Sequence, residues 1–149
     1  MQTALQPYQG SWLMPAFDHA SVVDAMHPGV MTCLAEESLV GVARTFATHH
    51  IHAIVVVAHE PSGGVEEPAW SVLSDRDLVA AALAGIEDRT AGEAANTEAP
   101  TIDRDASLEH AARLMTEHDV SHLVVVSDGR PVGMISTIDI AGSIAWGRA

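Results

Sequence analysis

Ser74-Asp75-Arg76-Asp77 and Ser136-Thr137-Ile138-Asp139 share a Ser-x-x-Asp spacing, and each stands where a strand-like apolar run gives way to a helix-like one. A carboxylate so placed can accept from both hydroxyls of a cis-diol. A serine hydroxyl and the free N–H groups of a helix start suit a phosphate, helped by the helix dipole. The same spacing is also a capping box, in which Ser and Asp only satisfy orphan donors. Such a box stabilises its helix by about 1 kcal/mol and implies no ligand. Both readings stand on the spacing alone.

The nine histidines offer a second chemistry. His49, His50 and His52 cluster, while His118 and His122 lie four apart, a spacing that could clamp zinc on one helix. That pair straddles a predicted helix-to-strand junction, and no cysteine cluster supports it. Surface histidines at helix ends are the plainer explanation, with His49 and His52 as the alternative metal ligands. Cys33 is the lone cysteine, which excludes an internal disulfide and suits a reducing cytoplasm. It reads as a small apolar strand residue rather than a reactive thiol. No nucleophile–base arrangement, Gly-rich phosphate loop or nucleophile elbow is present, so an enzyme is not expected.

The elements that must position these residues come in two copies. At a constant offset of 69 residues, Thr32 meets Thr101, Ser38-Leu39 meets Ser107-Leu108, and Ile54–Val57 meets Leu123–Val126. The offset then drops to 62, because the first copy carries seven extra residues around Pro61-Ser62-Gly63-Gly64. Trp70–Asp77 falls on Val132–Asp139. Within each copy, Val30–Leu34 and its counterpart predict a short strand. Leu39, Val42, Ala43, Phe46 and Ala47 follow helical spacing, as do Leu108, Ala111, Ala112 and Met115, with Ser38 and Ser107 as N-caps. The β-branched runs, the strands Trp70–Leu73 and Val132–Ile135, and helices near 77–84 and 139–145 complete the order β-α-β-β-α, twice. The turn at Asp128-Gly129-Arg130-Pro131 predicts an antiparallel hairpin, and the preceding crossover a parallel pair. The stretch Glu60 to Pro68 should be a mobile lengthening of the first hairpin. Residues 1–21 form an N-terminal extension whose Trp12, Leu13, Met14 and Phe17 are expected to pack on the domain or on a partner subunit. Residues 22–85 are the first repeat, 86–98 a polar link, and 99–149 the second.

Bulk composition excludes several partners. Twenty acidic residues face seven arginines and no lysine, for a net charge of −13. That field repels a nucleic-acid backbone and an anionic membrane, and the arginines form no basic patch. An apolar content of 48% suffices for a core, yet no window approaches a membrane span, and no secretory signal is expected.

The repeat ending in Gly133-Met134-Ile135-Ser136-Thr137-Ile138-Asp139 resembles the CBS domain, and two in tandem resemble a CBS pair, or Bateman module. The resemblance covers roughly residues 22 to 146, with Val23–Met26 similar to the family's lead-in segment and Val120–Val126 to its second strand. It implies a mixed α/β (α+β) fold of two β-α-β-β-α repeats packed with pseudo-twofold symmetry and two clefts between them. Those clefts commonly hold AMP, ADP, ATP or S-adenosylmethionine, none of them a required cofactor.

By the same resemblance, Asp77 and Asp139 would receive ribose hydroxyls, Ser74 and Ser136 would face phosphates, and Thr32 and Thr101 would line the base pocket. Gly133 and Met134 belong to the binding stretch; Ser71 stands in place of the glycine in the first copy, which makes the second copy the better candidate. Phosphate cations are few: Arg76, His52, His122 and Arg130. AMP, or an adenosyl ligand with its own positive charge, therefore suits the chain better than ATP. The expectation is a cytoplasmic, homodimeric, non-catalytic sensor acting on a partner protein, dimerising through the helices beside the clefts. The alternative is a ligand-free or metal-binding scaffold that works through protein–protein contacts.

Overall fold

The computed structural model describes residues 15–58 and 69–147. Trp12, Leu13 and Met14, and the insertion from Glu60 to Pro68, lie outside the described residues. In chain order the elements are α1 (Val22–Ala25), β1 (His27–Pro28), β2 (Thr32–Leu34), α2 (Leu39–His49), β3 (Ala53–Val57), β4 (Trp70–Ser74), α3 (Asp75–Ala84), α4 (Ala91–Ala94), β5 (Thr101–Asp103), α5 (Leu108–His118), β6 (His122–Ser127), β7 (Arg130–Ser136) and α6 (Thr137–Trp146). They divide into two compact units: one joins the chain up to Gly29 with the chain from Pro100 onward, and the other is Val30–Ala99.

In the first unit a four-stranded sheet has the order β1-β7-β6-β5. β5 runs parallel to β6, while β7 is antiparallel to both β6 and β1. The β6–β7 hairpin turns on Asp128 and Gly129, both at positive φ (52° and 78°), the backbone that a two-residue loop with native strand twist requires. One side of the sheet presents Ile102, Leu123, Val125 and Ile135 to Leu108, Ala111 and Met115 of α5 and to Val22 and Ala25 of α1. Phe17 of the N-terminal extension packs against this core.

The second unit repeats the plan with three strands, β2-β3-β4, the first pair parallel and the second antiparallel. Its core sets Cys33, Ile54, Val56 and Leu73 against Leu39, Val42 and Phe46 of α2. The two crossover helices start and end alike. Ser38 Oγ accepts from Gly41 N, and Ser107 Oγ from His110 N, at 3.1 and 3.0 Å. Their C-caps, His50 and Asp119, are both left-handed.

The segment 86–98, read above as a polar link, carries α4, whose Ala91 is fully buried and whose Gly92 lies close against Ala35. This segment mirrors the one before the first repeat, at the same offset of 69. Asp24 accepts from Ser21 N at the start of α1, and Glu93 accepts from Thr90 N at the start of α4. Beyond each short helix the chain meets a sheet edge: His27 pairs with Met134, and Asn96 bridges Val72. Each unit is therefore closed by a lead-in segment that precedes one of the repeats.

Candidate functional site

Both Ser-x-x-Asp motifs form their capping boxes. Asp77 Oδ2 accepts from Ser74 N and Oγ at 2.9 Å each, and Asp77 N donates to Ser74 Oγ. Asp139 Oδ2 accepts from Ser136 N at 2.8 Å and from its Oγ at 3.1 Å, with Asp139 N returning to Ser136 Oγ. The first helical N–H is also taken, Asp75 N by His52 O and Thr137 N by Ser121 O. Three of the four backbone donors at each helix start are thus satisfied inside the protein, which leaves little there for a phosphate.

The second carboxylate oxygen separates the two sites. Asp139, with a side chain only 2% exposed, meets His27 Nε2 at 2.8 Å through Oδ1. The ring nitrogen thus stands directly against that second oxygen. In the other unit, Asp77 is half-buried and its second oxygen has no partner among the described residues.

Strand register gathers most of the remaining candidates. Thr101 lies opposite Val124, Val124 opposite Met134, and Met134 opposite His27. His122 lies opposite Ser136, two residues along the same strands. Cross-strand partners share a face and side chains alternate with period two. Thr101, His122, Met134, Ser136 and His27 therefore lie on one face of the first sheet, away from the core that α5 covers. Spacing of about 4.8 Å per strand sets Thr101 roughly 14 Å from His27, across the sheet. In the second unit the same face carries Thr32, Val55, Val72 and Ser74, with Asn96 at its edge.

The CBS domain family model matches residues 91–145. Hypoxic response protein 1 of Mycobacterium tuberculosis is 35% identical over 122 residues, which cover 79% of this chain and 80% of that protein. The chain belongs to the CBS-domain family. Among solved structures, Hypoxic Response Protein I with two coordinated zinc ions is 29% identical, with a TM-score of 0.66 over 82% of this chain and 97% of that one. The CBS domain pair of protein MJ0100, in complex with 5′-methylthioadenosine and S-adenosyl-L-methionine, has the same fold, at 24% identity and a TM-score of 0.68 over 82% and 93% of the two chains.

The other candidates of this CBS protein are dispersed. Arg76 is exposed on the first turn of α3. His52 is held by Asp75, Nδ1 to Oδ2 at 2.9 Å, so that ring nitrogen is already engaged within the protein. His49 ends α2 and His50 is its cap; His118 ends α5 while His122 begins β6, so the two do not share a helix. Among the described residues no three His, Cys, Asp or Glu side chains are grouped for a metal. Gly133 is occupied by the chain itself: an added Cβ would stand 2.6 Å from the His27 carbonyl oxygen. Cys33 is buried, and that burial, with the Glu37 charge second, pushes its thiol up to about 11, so it stays protonated and unreactive at neutral pH.

Sequence reasoning missed His27, which lies 112 positions before the carboxylate it meets. The signal that could have found it is the 69-residue offset carried further back, which sets His27 on Asn96.

Proposed function

We propose that this CBS pair is a non-catalytic regulatory module that binds an adenosine-containing ligand, AMP-like or adenosyl, at its Ser-x-x-Asp motifs. The observation that carries the reading is Asp77, half-buried and fixed by its capping box through one oxygen. The other oxygen is left to accept the hydroxyls of a ribose. Thr32, Ser74 and Arg76 join that carboxylate as the proposed ligand residues of one unit; Thr101, His122, Gly133, Met134 and Ser136 join Asp139 in the other. The ligands bound to the CBS pair of MJ0100 belong to the same chemical class. The satisfied helix-start donors and the net charge of −13 favour a ligand with one phosphate, or with a positive sulfonium, over a triphosphate.

The ligand regulates by its differential affinity for two arrangements of the module, and a partner protein reads the result. The active form is a homodimer, joined through exposed apolar faces on α3 and α6. A thermal-shift series with AMP, ADP, ATP, S-adenosylmethionine and zinc tests this reading. A ligand at a hundred times its dissociation constant adds about 2.7 kcal/mol and raises the melting temperature by several degrees. The expected result is a dose-dependent rise with AMP or S-adenosylmethionine that Asp77→Ala reduces. A rise with zinc alone, lost in a His49/His52 double replacement, would instead support the metal-binding scaffold.

A further inference from the structure

We propose that His27 is a built-in competitor for the ligand, and that it makes the two sites unequal; this rests on the adenosine reading above. Asp139 gives one oxygen to Ser136 and the other to His27 Nε2 at 2.8 Å. That second oxygen is the one a ribose hydroxyl needs. The imidazole ring stands 2.8 Å from that oxygen, in the place the hydroxyl would have to take, so ring and ligand exclude one another.

Of the two partners, only the ring can give way. The His27 side chain is 67% exposed, and the residue is held in the sheet by its backbone pairing with Met134, so the ring can swing out with β1 intact. The carboxylate cannot follow, being buried and tied to Ser136 through N and Oγ.

Asn96 takes the place of His27 in the other unit, bridging Val72 as His27 pairs with Met134. Its side-chain oxygen accepts from Glu98 N at 2.9 Å. The second oxygen of Asp77 has no partner among the described residues, so that site requires no displacement. A site that is closed for part of the time binds with an affinity reduced by the open fraction. Ligand therefore fills the Asp77 site first, and reaches Asp139 only at concentrations that outcompete the ring.

Calorimetric titration with AMP, and separately with S-adenosylmethionine, tests the inequality. Wild-type protein is expected to show one tight site that Asp77→Ala removes. His27→Ala should tighten the site that depends on Asp139 by about tenfold. Asn96→His, which sets a ring over Asp77, should weaken the tight site by a similar factor. His27→Asn copies the other unit and serves as the second variant if alanine disturbs β1. Unchanged affinity at the Asp139 site in both His27 variants would overturn the competitor role while leaving the adenosine reading standing. Absence of binding by either probe, in wild type and all variants, would overturn both.

Discussion

Gly133 lies so close to His27 that a Cβ on the glycine would stand 2.6 Å from the histidine's carbonyl oxygen and 3.0 Å from the sulfur of Met26. The contact is what lets β1 pair along β7, with Pro28 opposite Gly133 and His27 opposite Met134. In the other unit Ser71 takes the place of the glycine, and the corresponding pairing shrinks to a single bridge between Val72 and Asn96. The glycine thus answers to the chain's own backbone, and the ring that covers Asp139 depends on it.

Gly133→Ala should push β1 off the sheet edge. Overpacking of this kind costs about 1–3 kcal/mol. At about 2–4 °C per kcal/mol for a chain of this size, the melting temperature should fall by several degrees. Thermal denaturation followed by circular dichroism measures it, and an unchanged midpoint would show that β1 contributes nothing to the stability of its unit.

The two capping boxes should differ in their sensitivity. Asp77→Ala removes a half-buried carboxylate that bonds Ser74 alone, at a cost of about 1 kcal/mol. Asp139→Ala removes a buried one that bonds Ser136 and also pairs with the His27 ring, and should cost about 1 kcal/mol more. Urea unfolding of the two variants side by side decides the order; equal losses would mean that the His27 contact has no net worth.

Cys33 should resist alkylation in the native protein. Its folded thiol titrates near 11 against a reference of 9.0, raised first by burial and then by the charge of Glu37. Since only the thiolate reacts, iodoacetamide at pH 8 should modify the unfolded chain far faster than the native one. The shift also sets a pH dependence. The unfolded thiol ionises first, so the stability this group contributes is intact below about pH 9 and is lost as the pH rises toward 11. Cys33→Ala should flatten that alkaline decline.

Much of the fold was legible because the chain states it twice. The β-branched runs Ile54–Val57 and Leu123–Val126 became paired strands, and the caps Ser38 and Ser107 stand where spacing put them. The same doubling made both boxes readable, since Ser-x-x-Asp is a local signal. Less legible was anything carried by the lead-in segments. Strand β1 is two residues long and α4 only four, too short for periodicity to register. The His27–Asp139 contact depends on which sheet β1 joins, and no local pattern encodes that choice.

Two helices carry apolar side chains that their own units leave uncovered. On α3 the exposed residues include Val79 and, at 88% exposure, Leu83; on α6 they include Ile144 and, at 76%, Ile138. Val79 and Leu83 are four apart and so share one helix face. A chain this acidic could keep its helices polar outside, and an exposed apolar pair such as Val79 and Leu83 marks a surface that another protein covers. The proposed occupant is a second copy of the chain. Leu83→Glu sets a charge into that face without touching either core, so the fold should persist while self-association weakens. Sedimentation velocity should then show the wild type as a dimer and the variant shifted toward monomer, with unchanged circular dichroism. A variant that sediments with the wild type would remove α3 from the interface, and Ile138→Glu then puts the same question to α6.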